Sequence, residues 1–157
     1  MKAWHLKNER SLIYSERAAG LRTINLSNKS TGTIGSRLLG NSNYLYVTVI
    51  TNNIIYTNDN LNTVTCCDFQ GNTHWQFRGG DVLKSPHGIS IDKEGNVYVA
   101  GTISNNVEVV SNDGKRHRQI LSSTEGLKQP KVLHYDQSTN SLLVANRMDS
   151  AFVYDVQ

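Results

Sequence analysis

The residues best suited to metal or acid–base chemistry are five histidines and two cysteines, and none of them forms a known ligand pattern. The histidines have no pair separated by three to five residues; they are His5, His74, His87, His117 and His134. Cys66 and Cys67 are adjacent, so in a strand their side chains point to opposite faces and can share neither a disulfide nor one zinc ion. The sequence therefore predicts no metal ion and no cofactor in this segment.

Motifs for nucleophilic or phosphate chemistry are also missing. Ser90 lies in Gly88-Ile89-Ser90-Ile91-Asp92, which lacks the final glycine of a nucleophile elbow and falls inside a predicted strand. Asp92 opens a polar stretch that resembles the start of a calcium loop, but the twelfth position is Ile103 rather than an acid. We interpret that stretch as a turn between strands. No catalytic residue is predicted, and we expect this segment not to be an enzyme.

A repeat of about 44 residues organises the chain and must position its functional groups. Pro86 and Pro130 are 44 positions apart, Asp92 and Asp136 show the same spacing, and Gly71 precedes Gly114 by 43 positions. Within each unit, short β-branched or aromatic segments alternate with turn residues, and none has helical periodicity. Four antiparallel strands repeated at this interval are typical of propeller blades. The predicted fold is therefore all-β, a partial β-propeller with almost no helix.

The predicted arc has about four blades of four antiparallel strands, the last blade lacking its outer strand. The blades span about residues 1–40, 41–80, 81–123 and 124–157. In propellers the missing outer strand is usually supplied by the N-terminal part of the chain, which closes the ring. Here that strand would lie in a region N-terminal to this segment. We therefore expect an open arc whose two end faces are exposed, and apolar surface of that kind favours association.

A resemblance to the NHL repeat is carried by the unit Pro86-x-Gly88-Ile89-x-Ile91-Asp92-x-x-Gly95-Asn96-Val97-Tyr98-Val99-Ala100. Asn105-Asn106 and Asp113-Gly114 extend the likeness. The repeat usually has Asp after the second strand and Arg at the start of the third, whereas this chain has Gly101 and Val107 there. Any polar link between those two positions is therefore absent from this blade.

The whole chain is similar to the C-terminal part of molluscan-type tripartite-motif proteins. Full chains of that family carry a RING finger, B-box zinc fingers and a coiled coil before a propeller that is usually six-bladed. The resemblance implies further blades on the N-terminal side, which would be needed to close the ring. It also implies a substrate-recruiting role in a ubiquitin ligase, whose chemistry would belong to a RING domain outside this segment.

Binding is expected on one face of the propeller, which is built from two kinds of loop. One kind joins the fourth strand of a blade to the next blade, and the other joins the second and third strands. Loops on a rigid scaffold often carry function, and amide or cationic side chains can bind a peptide or contact phosphates. The predicted ligand-contacting residues are His87, Asn58, Asn60, Asn105, Asn106, Lys131 and Arg147.

Charge and targeting signals leave the class of partner open. The net charge of +3 is mild, so a protein partner is the first hypothesis and RNA is an alternative, with the basic run Lys115–Arg118 as a candidate contact. A propeller lyase or hydrolase is the third hypothesis. The sequence shows neither a secretory signal nor an apolar run of the ~20 residues that a membrane span needs. We therefore expect a cytoplasmic protein that does not contact membranes.

Overall fold

The structure is a computed structural model that describes residues 4–8 (backbone), 11–16, 20–35, 42, 45–148 and 150–156. The predicted boundary between the first two blades, at residues 40 and 41, lies outside these ranges. Fifteen strands occur in the described part of the chain. In order they are Trp4–Asn8 (β1), Ser11–Glu16 (β2), Gly20–Asn25 (β3), Thr31–Ile34 (β4), Val47–Ile50 (β5), Asn53–Asn58 (β6), Thr63–Asp68 (β7), Thr73–Arg78 (β8), Pro86–Ile91 (β9), Val97–Gly101 (β10), Asn106–Val110 (β11), His117–Leu121 (β12), Pro130–Asp136 (β13), Ser141–Asn146 (β14) and Ala151–Asp155 (β15).

The strands form four separate antiparallel sheets, which we call blades 1 to 4. Blade 1 is β1–β4, blade 2 is β5–β8 and blade 3 is β9–β12, each with its strands in chain order, while blade 4 has only β13–β15. The sheets do not close into a ring, and the fold class predicted from the repeat is confirmed. Helical structure in the described ranges is limited to one 3-10 turn at Ser123–Glu125, so no helix described there could cross a lipid bilayer.

The hydrophobic core lies between the blades rather than within them. One cluster joins blades 1 and 2, a second joins blades 2 and 3, and a third joins blades 3 and 4. Alternate residues of each strand serve opposite faces, as strand geometry requires. Cys67 packs in the first cluster and Cys66 in the second, so the predicted opposite orientation of the two thiols is confirmed. In the third cluster, the rings of Tyr98 and Tyr135 stack with centroids 5.0 Å apart.

Buried hydroxyl groups also link neighbouring blades. Ser15 Oγ donates to the carbonyl of Leu45 at 2.9 Å, and Thr57 Oγ1 donates to the carbonyl of His87 at 3.0 Å. Both donors sit on the second strand of their blade and both acceptors lie in or just before the first strand of the next. Such bonds satisfy polar groups that would otherwise be buried without partners, so they hold successive blades in register.

The polar stretch after β9 is a turn, as predicted. The Asp92 carboxylate accepts hydrogen bonds from the backbone and side-chain N–H groups of Asn96, both at 2.8 Å. Asp68 and Asn72 repeat this arrangement between β7 and β8, again at 2.8 Å. Gly95, between Asp92 and Asn96, has φ +82°, a left-handed conformation that glycine adopts without strain. The carboxylates in both turns therefore stabilise the chain's own backbone.

Candidate functional site

Two sets of connections meet on one side of the arc, which we call the loop face. The first set joins second to third strands and comprises residues 59–62, 102–105 and 147–148; the second joins successive blades and comprises residues 79–85 and 122–129. Backbone hydrogen bonds tie the two sets together. Gly79 N–H donates to Asn62 O at 2.7 Å, and Ile103 N–H donates to Lys84 O at 3.1 Å. The predicted convergence of these loops is therefore present in the structure.

A pair of asparagines fixes these connections in successive blades. Asn62 and Asn105 both adopt a left-handed backbone, with φ 53° and 54°. The side-chain oxygen of Asn62 accepts the N–H of Ser85 at 2.8 Å, and that of Asn105 accepts the N–H of Gln129 at 2.7 Å. Each asparagine therefore holds the residue that precedes the first strand of the next blade. Asn105 was predicted to contact a ligand, yet its carbonyl oxygen already has this structural role.

Asn58 and Asn106, two other predicted contact residues, are at most 2% exposed. The Asn58 side-chain oxygen accepts the N–H of Leu61 at 3.0 Å. Asn106 Nδ2 donates to the carbonyl of Val82 at 2.8 Å. The expectation that these amides face solvent is wrong, because each turns inward to satisfy the backbone of a loop. They shape the loop face from beneath.

His87, a third predicted contact residue, is also buried. Its Nδ1 lies 2.8 Å from the carbonyl oxygen of Ser85 and 2.7 Å from Thr102 Oγ1. Thr102 Oγ1 donates its one hydrogen to the carbonyl of Pro130 at 2.7 Å. Nδ1 therefore carries the proton and donates to these oxygens. The imidazole lies buried within blade 3 and bonds the Thr102 hydroxyl that reaches blade 4, instead of reaching the surface, which corrects the expectation from sequence.

The four remaining predicted residues do reach the surface to different extents. Asn60 and Arg147 are exposed, and Asn105 and Lys131 are half-buried. Arg147 is placed by its backbone N–H, which donates to Gln129 O at 2.9 Å. These residues belong to the turns and strand starts of three successive blades. Their contact with a ligand, like that of the buried three, stays a prediction.

Four exposed apolar side chains on the loop face were not predicted from the sequence. Leu61, Val82, Ile103 and Met148 are each between 42% and 71% exposed. We call these four residues the loop ridge. Ile103 and Met148 each follow a residue whose backbone is held in place. The N–H of Thr102 donates to Ser85 O, and the N–H of Arg147 donates to Gln129 O. These exposed residues could have been predicted from the sequence, because a large apolar residue in each successive turn departs from ordinary turn composition.

The cysteine thiols are poorly suited to nucleophilic chemistry. Burial raises the pKa of the Cys66 thiol to about 11 and the pKa of the Cys67 thiol to about 12. Near neutral pH both stay protonated, and the thiolate is the reactive form. In the described ranges, no three His, Cys, Asp or Glu side chains come together in a way that could hold a metal ion.

A groove of about 540 Å³ runs along the inner strands of blades 2, 3 and 4. Its lining includes Thr48, Ser90 and His134. Ser90 Oγ accepts the N–H of Tyr135 at 3.0 Å, so this hydroxyl connects blade 3 to blade 4. Ser90 therefore has a structural partner, in keeping with its position inside a strand.

Comparison with known proteins supports the propeller architecture. A family model described as a β-propeller repeat matches residues 76–107. No curated protein sequence matches significantly. The crystal structure of a nidogen/laminin complex contains a chain that is 18% identical, with a TM-score of 0.81, over 98% of this chain and 60% of that one.

Two further structures show how widely this architecture is shared. Streptogramin B lyase is 9% identical with a TM-score of 0.72, over 99% of this chain and 54% of that one. The computationally designed Ika4 protein is 8% identical with a TM-score of 0.73, over 99% and 91% of the two chains. The chain thus spans little more than half the length of the lyase and three-fifths of the first structure. Identities this low establish the fold alone, and on that basis the chain is a partial β-propeller.

Proposed function

We propose that this chain is a non-catalytic platform for protein recognition and that its partner binds the loop ridge. The observation that carries the proposal is a set of four large apolar side chains exposed on the loops of three successive blades. Apolar side chains that recur on one face are typical of interaction sites, because leaving them in water costs free energy that a partner recovers.

The scaffold beneath the ridge supports this function. Ile103 N–H bonds Lys84 O, and the adjoining Asn105 side chain holds Gln129. Because the loops are held by these bonds, a partner need not order them on binding, and less conformational entropy is lost. Exposed Asn60 and Arg147 border the apolar residues. Apolar anchors with a polar rim are the usual composition of protein interfaces.

More specifically, we propose that the chain recruits substrates in a protein of the tripartite-motif class. It is supported by the NHL-like residues of blade 3, from Pro86 to Ala100. In such a protein the ligase chemistry would reside in zinc-bearing modules outside this segment. The high pKa of both thiols and the structural role of the Ser90 hydroxyl favour a binding role over a catalytic one.

Peptides selected from a random display library on the immobilised chain provide a direct probe. Their affinity would be measured by calorimetry for the native chain and for Ile103→Asp and Met148→Asp. Each substitution places a charge in the apolar row, so we expect at least about tenfold weaker binding, equivalent to about 1.4 kcal/mol. Lys115→Asp, on an exposed turn away from the loop face, is the matched control and should bind like the native chain.

The same variants separate protein from RNA recognition. RNA binding would appear as affinity for labelled single-stranded RNA that falls steeply with salt and is insensitive to Ile103→Asp. That result would replace the protein-binding proposal. Selected peptides that bind Ile103→Asp and Met148→Asp as tightly as the native chain would also reject it.

A further inference from the structure

The acidic side chains on the loop face and at its strand ends already have partners within the chain. Each described carboxylate there contacts a cation or a hydroxyl group at 2.7 to 3.4 Å. The partners are Lys84 for Asp81, Ser122 for Glu125, Arg22 for Glu16 and Ser42 for Asp59. These carboxylates therefore support the loops, and a binding partner would compete with bonds that are already formed.

Three exposed cations of the loop face form no ion pair in the described part of the chain. They are Arg78, Lys128 and Arg147. Arg147 directly precedes the ridge residue Met148. Arg78 directly precedes Gly79, whose carbonyl accepts the N–H of the ridge residue Val82 at 2.9 Å. Cationic side chains therefore accompany the apolar ones at the junction of blades 2 and 3 and again at that of blades 3 and 4.

Lys128 is brought to the second of these junctions by its neighbour Gln129. The Gln129 backbone is held on both sides, because its N–H donates to Asn105 Oδ1 at 2.7 Å and its carbonyl accepts the N–H of Arg147 at 2.9 Å. The ridge residue Ile103 lies two positions before Asn105. This junction therefore combines an apolar side chain and two cations around one fixed backbone segment.

Residues outside the described ranges keep the same sign of charge in these connections. The sequence adds one acid, Asp149, after Met148, and two cations, Arg17 and Arg37, in the corresponding connections of blade 1. Cations therefore outnumber acids in the loop-face connections of the whole chain. Charge of this sign attracts an anionic partner and repels a basic one.

We propose that the partner of the loop ridge is an acidic peptide segment that combines apolar side chains with Asp or Glu. This inference rests on the proposed function, because it names the chemistry of the partner that the ridge binds. The apolar side chains of the segment cover Ile103 and Met148, and its carboxylates bind Arg147 and Lys128. A guanidinium group suits this role, because its N–H groups can bind both oxygens of one carboxylate.

The composition of the loops favours a peptide over a nucleic acid. Proteins hold single-stranded RNA largely by stacking its bases on aromatic side chains. Phe, Tyr and Trp are absent from residues 59–62, 79–85, 102–105, 122–129 and 147–148. The exposed side chains beside the cations are aliphatic, and they match the apolar anchors of a peptide rather than sugars and phosphates.

Charge-reversal variants test the acidic partner, with library-selected peptides as the probe. Calorimetry compares the native chain with Arg147→Glu and Lys128→Glu at low and at high salt. Each variant places a carboxylate where an acid of the peptide would bind, so we expect about fivefold weaker binding at low salt and a smaller loss at high salt. Lys115→Glu makes the same change on an exposed turn at the other ends of the strands and should bind like the native chain. Circular dichroism verifies that the variants keep their strands.

A charge exchange between chain and peptide identifies the contact itself. In the peptide that Arg147→Glu weakens most, each Asp or Glu is replaced in turn by Lys. One of these peptides should bind Arg147→Glu more tightly than it binds the native chain, because the two charges of a pair have been exchanged. If no exchange restores binding, the carboxylates do not contact Arg147 and the proposed arrangement is wrong.

The neutral variant Ile103→Ser separates this inference from the proposed function, because it removes apolar surface without adding a charge. Peptides that bind Ile103→Ser as tightly as the native chain would reject the ridge itself. Peptides that need Ile103 but bind Arg147→Glu and Lys128→Glu like the native chain would overturn the acidic partner alone. Single-stranded RNA that binds more tightly than every selected peptide, and that is weakened by Arg147→Glu but not by Ile103→Ser, would also overturn it.

Discussion

The two adjacent cysteines show how strand geometry controls chemistry at the scale of single residues. Their side chains serve different inter-blade cores because consecutive residues of a strand point to opposite faces. This orientation could be predicted from the sequence once a strand was assigned. Their degree of burial depends on the neighbouring blades, so the altered pKa of each thiol could not be predicted in the same way.

Burial of these thiols predicts a specific dependence of stability on pH. The pKa of Cys66 rises from 9.0 to about 11 and that of Cys67 to about 12, while Tyr56 and Tyr98 rise from 10.0 to about 12. The unfolded chain therefore loses these protons first as pH increases. Stability contributed by the neutral thiols is fully present below pH 9 and declines as pH rises toward the folded pKa values.

Urea denaturation between pH 8 and pH 10.5 measures this effect, with the pH values chosen to bracket the ordinary thiol pKa of about 9. The free energy of unfolding should fall above pH 9. In the double variant Cys66→Ala and Cys67→Ala the fall should be smaller between pH 9 and 10, although its stability is lower throughout. A native chain whose stability is constant over this range would show that the thiols ionise equally in both states.

At the scale of strands and loops, the repeat predicted the elements well and their loop contacts poorly. Spacings of 43 and 44 residues, such as Pro86 to Pro130, were sufficient to place four strands in each unit. The inward orientation of Asn58, His87 and Asn106 was missed, because it arises from backbone groups that only the folded loops bring together. Polar residue type alone does not separate a ligand contact from a loop support.

The asparagine that holds the connection into blade 4 gives a prediction at this scale. Asn105→Gly keeps the left-handed conformation but removes the acceptor for Gln129 N–H, and should cost about 1 kcal/mol. Asn105→Ala removes the acceptor and also strains the backbone at φ 54°, so it should cost about 1 kcal/mol more. Chemical denaturation of the two variants measures these losses. Equal stability of both variants and the native chain would mean that the bond does not hold the loop.

At the scale of the whole molecule, the structure combines an unclosed arc with two separate apolar surfaces. The exposed pair Leu143 and Val153 on blade 4 belongs to the inter-blade pattern, since matching positions in blades 2 and 3 are buried. The loop ridge does not belong to it, because its side chains stand on turns outside the sheets. Sequence reasoning predicted the open ends from the incomplete last blade. The ridge was not predicted, because polar and cationic side chains are the ones expected to contact a peptide or phosphate.

Hydrogen–deuterium exchange with and without a library-selected peptide most directly tests the claim that the loop ridge is the recognition surface. Binding should slow amide exchange at residues 59–62, 79–85 and 102–105, which carry or support the ridge. The turns at 92–96 and 111–116, which lie at the other ends of their strands, should exchange as before. Protection confined to those turns or to strands β13–β15, with unchanged exchange in the ridge segments, would contradict recognition at the loop ridge.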